Sequence, residues 1–321
     1  MGKCCVPEID NLHALAIGGA WSPKPQLVCL GLSAFDVTWN VECLPAGGGK
    51  TRALDLQEGG GGMAANASVA AARLGADVQF WGRAGNDSAG RAMHEELATL
   101  GVGVEHFRLF DGARSSVSGI VVDAAGERMI VNFRGGALPV DAAWLPLGTL
   151  KKADAVLADP RWPEGAQALF TAARALGVVT VLDGDMADAA DFETLLPLTD
   201  YAVFAAPALA AFAGTADTEE GLRFARARGC LLSAVTLGEE GVAWLEGNAL
   251  QHVPAFSVDV VDTTGAGDVF HGALAFALGA GLPIRDAFRF SSAAAALKCR
   301  HEGGRAGAPG LPATLSFLQG S

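Results

Sequence analysis

Short apolar runs recur along the chain, at residues 27–32, 78–81, 155–158, 178–183, 202–204 and 231–236, and longer stretches with helical spacing separate them. Runs this short, apolar without alternation, read as strands buried on both faces. Strands that alternate with helices imply an α/β fold on a mainly parallel sheet, with helices on both sides. Ligands bind such sheets beyond the carboxyl ends of the strands, so the loops that follow these runs are where chemistry is expected. Two segments break the rhythm, residues 35–58 and about 115–135. In the second, Ser118-Gly119-Ile120-Val121-Val122 and Arg128-Met129-Ile130-Val131-Asn132-Phe133 flank Asp123-Ala124-Ala125-Gly126-Glu127, a hairpin pattern.

Glycine interrupts the pattern in two places. In Asp262-Thr263-Thr264-Gly265-Ala266-Gly267-Asp268, a glycine turn runs into a helix expected over residues 266–278. Gly265 and Gly267 allow a tight turn that aims backbone N–H groups outward at a helix start, an anion-binding arrangement. Asp268 falls in the first turn, where a carboxylate can take a proton from a hydroxyl attacking a phosphoryl group. The plainer alternative is a capped helix, with Asp262 or Thr263 as N-cap and Asp268 favouring the helix dipole. The second place is Gly59-Gly60-Gly61-Gly62-Met63-Ala64-Ala65-Asn66, followed by an alanine-rich helix at 67–74, Gly75, a strand at 77–81, and Gly82-Arg83-Ala84-Gly85. Glycine packs nothing and costs backbone entropy, so four in a row mark either close approach of another group or a flexible hairpin.

These two signatures in this order, with Thr236-Leu237-Gly238-Glu239-Glu240-Gly241 between them, resemble the PfkB carbohydrate kinases, the family that includes ribokinase. The likeness starts near Leu27, which leaves residues 1–26 as a variable extension and 27–321 as one ribokinase-like domain. It implies that segments 35–58 and 115–135 form a small β-sheet lid over a sugar. It implies Asp268 as base, with the N–H groups of Gly265, Ala266, Gly267 and Asp268 stabilising the transferring phosphoryl group. Asp36, Gly61, Gly62 and Asn66 would bind the sugar. Thr236, Gly238, Gly241, Thr264, Gly265, Gly267, Lys298 and Gly304 would serve ATP. Magnesium and a monovalent cation such as K+ are implied as well, and so is a lid-to-lid homodimer. One departure stands out: where relatives carry Asn-x-x-Glu to organise magnesium, this chain has Ala205-Ala206-Pro207-Ala208, so either Asp183 and Asp185 take part of that role or magnesium is held through phosphates and solvent alone.

A finer resemblance, carried by Ala158-Asp159-Pro160-Arg161-Trp162, Leu182-Asp183-Gly184-Asp185 and Leu297-Lys298-Cys299, is to bacterial sulfofructose kinases. That branch phosphorylates 6-deoxy-6-sulfofructose at its 1-hydroxyl. A sulfonate needs forked or amide donors, and the resemblance assigns that role to Lys50, Asn132 and Arg161, with Arg134 a further candidate. Fructose, ribose and keto-sugar acids remain alternative substrates, and a non-catalytic sugar-binding regulator is the alternative from another class.

Composition narrows the picture further. With 35 acidic against 23 basic residues among 321, the net charge is -12, which argues against a nucleic-acid partner. The six cysteines lack metal or disulfide spacing and read as free thiols in a reducing, cytoplasmic setting. No apolar run is long enough to span a membrane. Gly2, Cys4 and Cys5 invite a lipidation reading that Val6 disfavours, because myristoylation prefers Ser or Thr there.

Overall fold

The computed structural model describes residues 23–320 and the short paired strands Ala16–Ile17 and Ala20–Trp21. Most of the expected extension at residues 1–26 lies outside the described residues. Along the chain run β1 (Gln26–Gly31), β2 (Ala34–Asn40), β3 (Asp55–Gly61), α1 (Met63–Arg73), β4 (Asp77–Gly85) and α2 (Ser88–Thr99). They are followed by β5 (Phe107–Phe110), β6 (Ser116–Val122), β7 (Arg128–Phe133), β8 (Ala155–Ala158), α3 (Pro163–Leu176), β9 (Val179–Gly184) and α4 (Ala189–Leu195). The last third holds β10 (Tyr201–Ala205), α5 (Ala206–Ala213), α6 (Thr218–Arg226), β11 (Leu232–Thr236), β12 (Val242–Glu246), β13 (Ala249–Val253), α7 (Ala266–Gly279), α8 (Ile284–Cys299) and α9 (Leu311–Gln319).

Nine strands form one sheet in the order β13-β12-β11-β10-β9-β8-β1-β4-β5, parallel from β11 to β5 and antiparallel where β12 and β13 are added. Successive side chains of a strand point to opposite faces, and here each face has its own core. Leu27 and Cys29 of β1 enter the cluster beneath α1, α7 and α8, while Val28 and Leu30 enter the one beneath α3. The same division splits Ala155 and Leu157 from Val156 and Ala158. Both faces are dry, which is why the sequence shows unbroken apolar runs rather than alternation.

A separate four-stranded sheet has the order β3-β2-β6-β7. It is built from the two segments that broke the strand-helix rhythm. Its register sets Asp36 beside Ser118, and Ser118 beside Asn132, so these three stand abreast on one face. Three boundaries differ from the sequence reading. Strand β4 continues through the expected glycine loop to Gly85, because Gly82 and Gly85 pack against Phe80 and Ala113 where a Cβ would collide. Helix α1 begins at Met63, which places Asn66 inside a helix. The pair β12–β13, hidden behind the turn that follows β11, had no separate signature.

Candidate active site

The close packing of α1 on α7 assembles the site. Both helices are rich in alanine, and at Gly272 a Cβ would lie 2.3 Å from the Ala67 carbonyl oxygen, so only glycine permits the approach. That proximity brings Asn66 and Asp268, distant in sequence, side by side. The Asn66 amide donates to Asp268 Oδ2 at 2.7 Å, while Arg305 Nε donates to Asn66 Oδ1 at 3.0 Å. Arginine can only donate, so it fixes the amide with its oxygen inward and its NH₂ toward the carboxylate. Arg305 also donates to the Gly61 carbonyl oxygen at 2.8 Å. Nothing in the local sequence singles out Arg305. An arginine among glycines carries no local signal, and its partners lie across the fold.

Asp268 is partly exposed at the amino end of α7. Burial and the nearby Asp183 charge push its carboxyl up to about 7, although the Asn66 hydrogen bond pulls the other way. A base poised there can accept a proton from a hydroxyl at neutral pH. Gly265 caps the helix in the left-handed region, at φ 73°, and no side chain caps it. The Ala266 N–H donates to the Thr263 carbonyl oxygen, which removes it from the four amides expected to face a phosphate. The remaining first-turn amides have no protein acceptor, as an anion site requires. Gly267 differs from expectation: it is helical, not part of the turn, and a Cβ there would meet nothing within 4 Å.

Alongside lies a cavity of about 740 Å³, lined by Thr236, Gly238, Gly241, Phe256, Ala266, Gly267 and Ala296 among others. Of the residues expected at a nucleotide, Thr236, Gly238, Gly241 and Gly267 face it. Thr264, Gly265, Gly304 and Lys298 do not line it. Thr264 instead bonds Asp262, Gly304 packs on Gly265, and Lys298 is fully buried. Arg128, which the sequence reading passed over, reaches from the small sheet to Thr264 Oγ1 at 2.5 Å and Asp262 Oδ1 at 2.6 Å.

The other expected residues separate into two groups. Asp36 lies over Gly61, where a Cβ would sit 2.0 Å from its carboxylate; burial raises its pKa, countered by a Ser118 hydrogen bond and the Arg305 charge. Gly62, at φ 96°, makes the sharp entry into α1 against the Leu32 carbonyl oxygen. Asn132 donates to Ser118 Oγ at 3.2 Å in the Asp36 row. Arg161 follows β8, half-buried and 3.7 Å from Asp185. Lys50 is exposed in the loop between β2 and β3.

Asp183 ends β9 with its carboxyl raised well above the ordinary range by burial and by the charges of Asp159 and Asp185, and its Oδ2 has no hydrogen-bond partner. Among the described residues no group of three His, Cys, Asp or Glu side chains could hold a metal ion. No helix among them is long and apolar enough to cross a membrane, and Cys29, Cys43, Cys230 and Cys299 are free.

Comparison with known proteins accords with this geometry. A family model described as pfkB family carbohydrate kinase matches residues 24–310. The ribokinase of Bacillus subtilis is 29% identical, over 88% of this chain and 96% of its own. A fructokinase of Klebsiella pneumoniae is 34% identical over 76% of this chain and 83% of its own. The ribokinase of Arabidopsis thaliana, solved with ribose and ATP, superposes with a TM-score of 0.83 at 26% identity, covering 93% of this chain and all of that one, 100%. The chain thus belongs to the pfkB family of carbohydrate kinases, phosphotransferases with the ribokinase-like fold.

Proposed function

We propose that the enzyme transfers the γ-phosphoryl group of ATP to a hydroxyl of 6-deoxy-6-sulfofructose, its 1-hydroxyl, with Asp268 taking the hydroxyl proton. The observation that carries the chemistry is a carboxylate poised near pH 7, held by Asn66 at the open amino end of α7 beside the cavity. ATP would occupy that cavity, with its phosphates toward the Gly267 and Asp268 amides. Asp36 and Asn66 would bind sugar hydroxyls beneath the small sheet, which would act as a lid. Magnesium would be held mainly by the nucleotide phosphates and water, with Asp183 and Asp185 the nearby carboxylates that could take part, and it would supply charge neutralisation.

The sulfonate reading rests on the finer resemblance, which assigns it the Arg161 guanidinium and the Asn132 amide; Arg161 follows β8 and Asn132 stands on the small sheet. A neutral pentose or hexose is the second reading. The ribokinase and fructokinase relatives favour it, as does the Asp185 carboxylate that already faces Arg161. The deciding measurement is kcat/KM for sulfofructose, fructose and ribose in the wild type and Arg161→Ala. A terminal sulfonate predicts a wild-type preference for sulfofructose that the variant loses by about 2 to 4 kcal/mol, the scale of an abandoned charge-assisted contact. Preference for a neutral sugar, or equal loss on all three, gives the site to ribose or fructose.

The outer face of the lid suggests its partner. Trp39, Leu56, Met129, Val131 and Phe133 are exposed, on rows that alternate with the Asp36 row. We read this apolar face as the surface that pairs two copies in a homodimer. A monomer by light scattering at micromolar concentration would contradict that.

A further inference from the structure

Lys298 lies near the end of α8 with 0% of its surface exposed. A lysine rarely enters a protein interior unless oxygen atoms replace its water. Here its ammonium donates to the Asp262 carbonyl oxygen at 2.6 Å and the His301 carbonyl oxygen at 3.2 Å, and stands 3.7 Å from Asp262 Oδ2. The Asp262 carboxylate also accepts the Thr264 N–H at 2.9 Å, the Thr264 hydroxyl at 2.7 Å and the Gly303 N–H at 2.9 Å. Burial alone would raise that carboxyl, but the Thr264 hydrogen bonds, the Lys298 charge and the Arg128 hydrogen bond outweigh it and bring it down to about 2. Two segments are tied together in this way. One leads into the Gly265 turn, and the other carries Gly304, whose Cα would lie 3.1 Å from a Cβ at Gly265.

Two carbonyl oxygens and a carboxylate around a single positive charge are also what a large monovalent metal ion seeks. K+ and an ammonium group are close in size and both take oxygen ligands. The family resemblance implies a monovalent cation, yet beside the phosphate loop the converging oxygens already hold a cation that belongs to the chain. We propose that the Lys298 ammonium is a built-in monovalent cation, a positioning group that clamps the turn presenting the Gly267 and Asp268 amides and makes turnover independent of added K+. The proposal rests on the kinase reading and adds a cation requirement, or rather its absence, to it.

The test compares the wild type, Lys298→Ala and Lys298→Met in tetramethylammonium buffer at fixed ionic strength, with K+, NH4+ or Na+ added. Both turnover and melting temperature are recorded. The wild type is expected to be flat in both. Lys298→Ala should lose turnover on the order of 100-fold, the scale of lost electrostatic preorganisation. K+ and NH4+ should then restore much of it and raise the melting temperature, because they can enter the vacated oxygen cage. Lys298→Met fills the space without charge and should not respond. Wild-type activation by K+ of several-fold, or full cation-free activity in Lys298→Ala, would overturn the proposal. If Lys298→Ala does not fold, the wild-type response decides alone. No wild-type turnover on any sugar in any salt would instead count against the kinase reading, while the wild-type melting temperature against K+ would still test Lys298.

Discussion

The two glycine clusters look alike in sequence and do opposite things in space. Around Gly61, the room a side chain would take is filled by the protein itself, by the Asp36 carboxylate, and at Gly60 by Arg305 and Glu96. At Gly267 the same room is open and borders the cavity. One cluster is glycine so that carboxylate and guanidinium can close on a strand, and the other so that something from outside can reach a helix end. Glycine richness therefore marks close approach in both cases, but only the structure tells whether the approaching group is internal or a ligand.

The largest expected effect lies at the open end. Asp268→Asn should leave ATP and sugar binding nearly intact and lower turnover roughly 100-fold or more, the scale of a lost general base. The same variant tests the electrostatics. A carboxyl raised in the folded state contributes stability that is complete below its unfolded pKa and is lost as pH rises through about 7. Asp268→Asn, which cannot ionise, should thus melt higher than the wild type above pH 7, and the gap should shrink toward acid pH. Equal melting curves at all pH values would show that the carboxyl is not held against its ionisation.

Next comes the contrast between the glycines. Gly61→Ala forces a methyl against Asp36 and should cost about 1 to 3 kcal/mol of stability, as overpacking does, with sugar kcat/KM falling in parallel. Gly267→Ala meets no protein atom and replaces glycine inside a helix, so it should gain about 0.5 to 1 kcal/mol in denaturant unfolding. Its KM for ATP should nevertheless rise, because the methyl occupies space next to the phosphate amides. If both variants unfold alike, the distinction between filled and open glycines fails. The smallest effect is at Arg128. Its bonds to Asp262 and Thr264 are partly exposed, so Arg128→Ala should change stability by less than about 1 kcal/mol and appear mainly as a modest rise in KM for ATP.

The sequence carried the α/β frame, because strands buried on both faces leave apolar runs such as 155–158 that no helix explains. The glycine turn pointed to Asp268 and the family resemblance to Asp36 and Asn66, and the fold brings Asn66 onto Asp268. What the sequence missed acts at long range. Arg305 gains meaning only from Asn66 and Gly61, and Arg128 only from Asp262, contacts that span the chain. The family resemblance implies that Lys298 serves ATP. The packing of α8 instead buries it beneath the loop. Gly265 alone makes the turn, and the spacing of the two glycines does not reveal which one takes positive φ.

The account stands most directly on the protonation of Asp268, and the pH dependence of kcat/KM for the sugar reads it. The prediction is a single acid limb with its midpoint near 7, where the carboxyl loses its proton and becomes a base, and a shift of that limb to higher pH in Asn66→Ala, which removes a hydrogen bond to the ionised form. A profile flat from about pH 5 to 9, or a limb that Asn66→Ala leaves in place, would contradict Asp268 as the base.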